Sequence, residues 1–302
     1  MTVAAAPFET PVWFEPLREP AWLLPRVRDD APTIVFAAER WQEPGVDGDG
    51  RDLRLGLPLY LAEAARFGTN ARTLALPDVV EPDSPPGQGD VTVRSAVAPD
   101  GRPSVRLRLF DPQGAPLDEI VRDARDAASL GDALGGLLHA VTQATASTGV
   151  RPIWNSTYSL PAGAALTSYV RGSHAVRRVS DDALPDTAHV DALSERRADV
   201  RSVLTALGAL ATSATESFPA LLFFGALAAA ADVGSSVVGE FRLQANARCM
   251  TATDPFDPVY SMAMLVMELF GDHAAADRRA QALRVTGDER VIGWVDRVRG
   301  EG

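Results

Sequence analysis

The chain has 302 residues, 46% hydrophobic and 23% charged, which fits a soluble globular protein with one large domain or two ordinary ones. Its formal charge of -11 repels a phosphate backbone and argues against nucleic-acid partners. All 29 basic residues are arginine, so P-loop, kinase-type and Schiff-base lysine chemistry is excluded.

Residues 1–31 hold five prolines, with Trp13, Phe14 and Trp22 among them, and read as an arm that packs on the core or caps it. The opening "MTVAAAPFETPVWFEP" has no basic n-region and is broken by Pro7, Glu9 and Pro11, so no secretory signal is expected. "TIVFAA" reads as a strand. "LPLYLAEAARFG" then reads as a helix with Pro58 in its first turn and Gly68 at its end. "ARTLALPDVV" is a second strand, followed by the loop "EPDSPPGQGD".

"VTVRSAV" and "SVRLRLF" alternate strictly and are joined by "APDGRP", which predicts an antiparallel hairpin, and "LDEIVRDA" supplies a third strand. "SLGDALGGLLHAVTQAT" carries Leu130, Leu134, Leu137, Leu138 and Val141 along one helical stripe. Beyond about residue 160 every signal is helical, with breaks at "SDDALPD", "SFP", "DVGSS", "DPFDP" and "VTGDE". The most apolar segment, "FPALLFFGALAAAADV", falls short of the roughly 20 residues a membrane span needs and reads as a buried helix. The reading is therefore an α+β or α/β amino-terminal domain, a βαβ unit with an antiparallel meander and a helix, ahead of an all-α domain of helical hairpins. Its boundaries fall at 1–31 for the arm, 32–160 for the α/β domain and 161–302 for the helical domain.

The stretch "EPGVDGDGRDLRLGLP" has the strand–glycine–helix context of a phosphate cradle. However, Leu53 occupies the third glycine position of G-x-G-x-x-G, and Asp47, Asp49 and Asp52 would oppose the phosphates. No nucleotide or other cofactor is expected. Those three aspartates stand as candidate Ca²⁺ ligands against a plain solvated loop, since Arg51 breaks the EF-hand pattern and the closing Glu is missing. His139, His174, His189 and His273 are scattered with no zinc spacing, and "GSSVVG" has the wrong spacing for a nucleophile elbow. The single cysteine, Cys249, reads as a small buried residue and fits a reducing, cytoplasmic setting.

"DPVYSMAMLVMELFGDHAAADRRAQALRVTGD" resembles a tetratricopeptide repeat, through Tyr260, Gly271, Asp272, Ala276 and Ala280. Met264 and Leu283 depart from the small residues of that pattern, so the copy is degenerate. A second copy runs from Pro219 through Gly225 to "ATDP", stretched by about six residues. The first half is similar to the amino-terminal α/β domain of TolB-like tetratricopeptide proteins of bacteria. The matching pieces are "TIVFAAERW", "LPLYLAEAARF", "ARTLALP", "VRLRLFDPQGAPLDE" and "LGDALGGLLHAV", and "LTSYVRGSHAVRR" is similar to the helix that opens the repeats. That family has a second helix where this chain has "EPDSPPGQGD".

The resemblance implies a non-enzymatic bacterial scaffold that binds another protein in a helical groove. It places Ser261, Leu265 and Glu268 on the groove side of the first hairpin helix, with Tyr260, Ala263 and Met267 packed inside the hairpin. The alternative is an α/β hydrolase or small-ligand-binding protein whose acid and histidine site is assembled only by folding.

Overall fold

The computed structural model describes residues 7–40, 49–81, 89–98, 103–153, 155, 158–181 and 190–300. Asp47, His189, most of "EPDSPPGQGD" and the centre of "APDGRP" lie outside them. The chain forms two compact units. One gathers the chain up to Pro11, Pro25–Tyr158 and Ala162–His174; the other gathers Val12–Leu24, Ser159–Pro161 and Ala175–Gly302.

The first unit is built on a mixed five-stranded sheet of β1 (Thr33–Glu39), β2 (Arg72–Val80), β3 (Val91–Val97), β4 (Ser104–Phe110) and β5 (Pro116–Asp123), in the order β2-β1-β3-β4-β5. β1 runs parallel to β2 and β3, while β3, β4 and β5 form the antiparallel meander that the alternating pattern predicts. In β4 the apolar Val105, Leu107 and Leu109 are buried and Arg106 and Arg108 are only partly covered, as a period of two requires. β3 is buried along its whole length, Thr92 and Arg94 included, so both of its faces are covered. The buried Glu39 carboxylate ends β1 and is held by Arg108 at 2.5 Å and Arg106 at 3.4 Å. Arg94 and Arg108 lie over the Phe110 ring at 4.9 and 5.6 Å, so the buried Glu39 is paired and both guanidinium groups are stacked on an aromatic face.

The connection from β1 to β2 is α1 (Asp49–Gly68), longer than the sequence predicts, and Pro58 lies inside it instead of in its first turn. The expected single helix after β5 is divided at Gly136 into α2 (Ala127–Gly135) and α3 (Leu137–Ala144), with a capping box at Asp126 and Ser129. α4 (Gly163–Asp181) gives its first turns to this unit. A Cβ at Gly131 would run into the backbone of Gly163, so glycine lets α2 lie directly against the start of α4.

The second unit holds α5 (Val190–Ser213), α6 (Ser217–Asp232), α7 (Arg242–Thr251), α8 (Pro258–Leu269), α9 (His273–Val285) and α10 (Glu289–Arg299). α6 is buried continuously from Phe218 to Ala230, as its all-round apolar sequence predicts. The α8–α9 and α9–α10 turns share one device. Gly271 and Gly287 take left-handed backbone, and Asp272 and Asp288 then cap the next helix through the amides of Ala275 and Arg290.

The expected cut into an arm of 1–31, an α/β domain of 32–160 and a helical domain of 161–302 is replaced by an interleaved division. Phe8 pairs with Ala75 on the β2 edge and stays with the sheet. The stretch from Val12 to Leu24 belongs to the helical unit. There Trp13 is fully buried against Phe218, and Trp294 Nε1 donates to the Leu17 carbonyl at 3.0 Å. Trp22 meets Trp294 edge-on.

Candidate functional site

The most chemically distinctive place in the first unit is the seam between α1 and α4. Asp52, Gly56, Tyr60, Glu63 and Phe67 recur along α1 at steps of three and four and so share one face. Gly56 sets the crossing, because a side chain there would run into the backbone of Val170 on α4. On one side of the crossing, Asp52 Oδ1 meets His174 Nδ1 at 2.7 Å, with the imidazole almost wholly buried. That contact fixes the ring orientation and designates Nδ1 as its partnered nitrogen.

On the other side, Glu63 is 3% exposed and accepts from the Tyr169 hydroxyl at 2.6 Å and the Tyr158 hydroxyl at 3.4 Å. The shorter bond is a charge-assisted one. The Tyr158 ring also stacks on Phe67 at 4.5 Å, while the Tyr60 hydroxyl donates to the Leu134 carbonyl. Burial first, and the Glu63 charge second, push the Tyr158 and Tyr60 phenols above their ordinary range. These phenols therefore remain protonated donors and are poor nucleophiles. The cluster satisfies a buried carboxylate.

The sequence-predicted residues are distributed differently. α1 begins at Asp49, so Asp49 and Asp52 stand on a helix and not in a ligand loop, and Asp52 is engaged with His174. Asp47, the third candidate Ca²⁺ ligand, lies outside the described residues. Among the described residues no three His, Cys, Asp or Glu side chains converge as a metal site would require.

The groove assignment is corrected too. Ser261 is 1% exposed and Leu265 6%, because α8 is packed against α6, α7 and α9 and has no open face. Ala263 and Met267 are buried, whereas Tyr260, expected beside them inside the hairpin, is only partly buried and carries the Arg279 guanidinium over its ring at 3.8 Å. Glu268 is partly exposed and is engaged by His273 at 2.9 Å and by Arg299. Cys249 is buried, and that burial pushes its thiol up to about 12, which leaves no thiolate near neutrality.

Sequence reading did not single out Glu63, Tyr158, Tyr169 or the pairing of His174. The one available signal was Glu63 itself, an acid in the buried stripe of "LPLYLAEAARFG". A second missed feature is the outer face of α7. Leu243 and Met250, two turns apart, are 85% and 70% exposed, and Phe256 in the following loop is 78% exposed. Among the described residues no helix is long and apolar enough to cross a membrane. Neither a known protein family nor a curated protein matches this chain.

Proposed function

We propose that this chain is a non-enzymatic bacterial adaptor. In this reading a TolB-like α/β unit is joined to a tetratricopeptide-like helical unit that docks another protein in the cytoplasm. The exposed apolar face of Leu243, Met250 and Phe256 supports it best. Single exposed leucines are ordinary, but three large apolar side chains left exposed on one short helix and the loop that follows it are the kind of residue that binding surfaces use. The docking face is thus moved from the buried α8 to α7.

The test is capture from the native host by the full chain, compared with a variant carrying Leu243→Glu, Met250→Glu and Phe256→Ser. The variant should lose a specific partner and keep its thermal midpoint, since exposed positions contribute little to stability. Equal capture by both proteins, or a collapse of the midpoint, would refute the assignment.

The second reading, an α/β hydrolase or small-ligand protein, is favoured by the Asp52–His174 pair, an acid and a histidine that only folding brings together. It requires a hydrolytic activity that His174→Gln abolishes, whereas an adaptor has none.

A further inference from the structure

A cavity of about 500 Å³ opens at the amino-terminal edge of the sheet, beside the starts of β1 and β3 and the end of α1. Its volume falls within the range of small-molecule sites. Most of the polar groups on its wall are already satisfied. Arg28 grips Asp30 through two bonds of 2.9 Å, so these charges offset each other. Asn70 donates to the Gly149 carbonyl at 3.2 Å and accepts from the Arg151 amide at 2.7 Å, which fixes that wall. Two groups are left over. Among the described residues Arg26 has no partner, and Asp90 spends one carboxylate oxygen on the Thr33 amide at 2.7 Å and has none for the other.

We infer that this cavity binds a small apolar α-amino acid, its carboxylate on Arg26 and its ammonium on Asp90. A guanidinium pairs a carboxylate through two parallel bonds, and a carboxylate with a spare oxygen accepts from an ammonium. A ligand with a single charge would leave one of the two groups unmatched. The exposed Ile153, together with Pro32 and Ala31, lines the same cavity and offers apolar contact to a branched side chain. The inference is independent of the docking face on α7.

The experiment is calorimetric titration of the full chain with leucine, valine and phenylalanine. Isocaproate and isoamylamine serve as the single-charge counterparts of leucine. At least one of the amino acids should bind, and each leucine counterpart should bind at least tenfold more weakly than leucine. Arg26→Gln and Asp90→Asn should each weaken binding at least tenfold, and Asp90→Asn keeps an acceptor for the Thr33 amide, so the fold is retained. No heat from any of the three amino acids at millimolar concentration overturns the inference. So does binding that is indifferent to both substitutions, or a single-charge counterpart that matches leucine.

Discussion

Replacing Gly56 with alanine tests the α1–α4 seam with one methyl group. That methyl would lie 2.9 Å from the Val170 carbonyl carbon and nearer still to its oxygen, both backbone atoms that cannot rotate away. Carbon contacts settle at about 3.5–4.0 Å and the oxygen is closer still, so the helices must part by at least about 1 Å. Such a shift would stretch the 2.6 Å Tyr169–Glu63 bond and the 2.7 Å Asp52–His174 contact beyond hydrogen-bond range. Overpacking costs about 1–3 kcal/mol, and each lost bond to a charged group about 1.5–3 kcal/mol. Against this, alanine gains about 1 kcal/mol over glycine in a helix interior. The net expectation is a loss of at least about 3 kcal/mol, read as a midpoint lower by at least about 6–12 °C for a unit of this size. Gly293→Ala in α10 is the control, since a Cβ there meets nothing within 4 Å and only the propensity gain remains. A Gly56→Ala protein that melts at or above the parent in circular dichroism would show that the seam does not depend on close helix approach.

Alkaline pH should destabilise the protein. The unfolded chain releases the Cys249 proton from pH 9.0 and the Tyr60 and Tyr158 protons from pH 10.0, while the folded state retains them, so stability present below pH 9.0 is lost above it; a urea midpoint that stays flat through that range would count against the buried phenols and thiol. Leu265→Glu should lower the stability by at least about 3 kcal/mol, and the thermal midpoint with it, because it buries an unpaired carboxylate in α8; an unchanged melt would restore the open-groove reading of that helix.

The elements read correctly from sequence are those whose own pattern determines them. β3 to β5 follow from a period of two, α6 from apolar residues on every side, and the α8–α9 turn from Gly271 and Asp272. The elements misread depend on partners distant in the chain. Gly56 looks like part of a flexible loop until Val170 is placed beside it, and then its missing side chain explains why a glycine can lie within a helix. Glu63 and Tyr169 are 106 residues apart, and Asp52 and His174 are 122 apart, so no local spacing joins them. For α8, periodicity assigns one face to an open groove and the other to the hairpin interior. It does not count the neighbours, and three surrounding helices bury both.

The tie between Trp13 and the helical unit also bears on the order of synthesis. Trp13 packs against Phe218 and fills the space left by the missing side chain of Gly225, while Leu17 accepts from Trp294. Translation at about 5–20 residues per second brings Phe218 out roughly ten to forty seconds after Trp13, and Trp294 later still. Within that interval the sheet-bearing unit gains all of its strands and can close around them. The segment from Val12 to Leu24 must wait, with two tryptophans and three leucines uncovered, until the last helix has left the ribosome. The helical unit is thus the last part of the chain to be completed, and chaperone dependence during its synthesis should trace to this early segment.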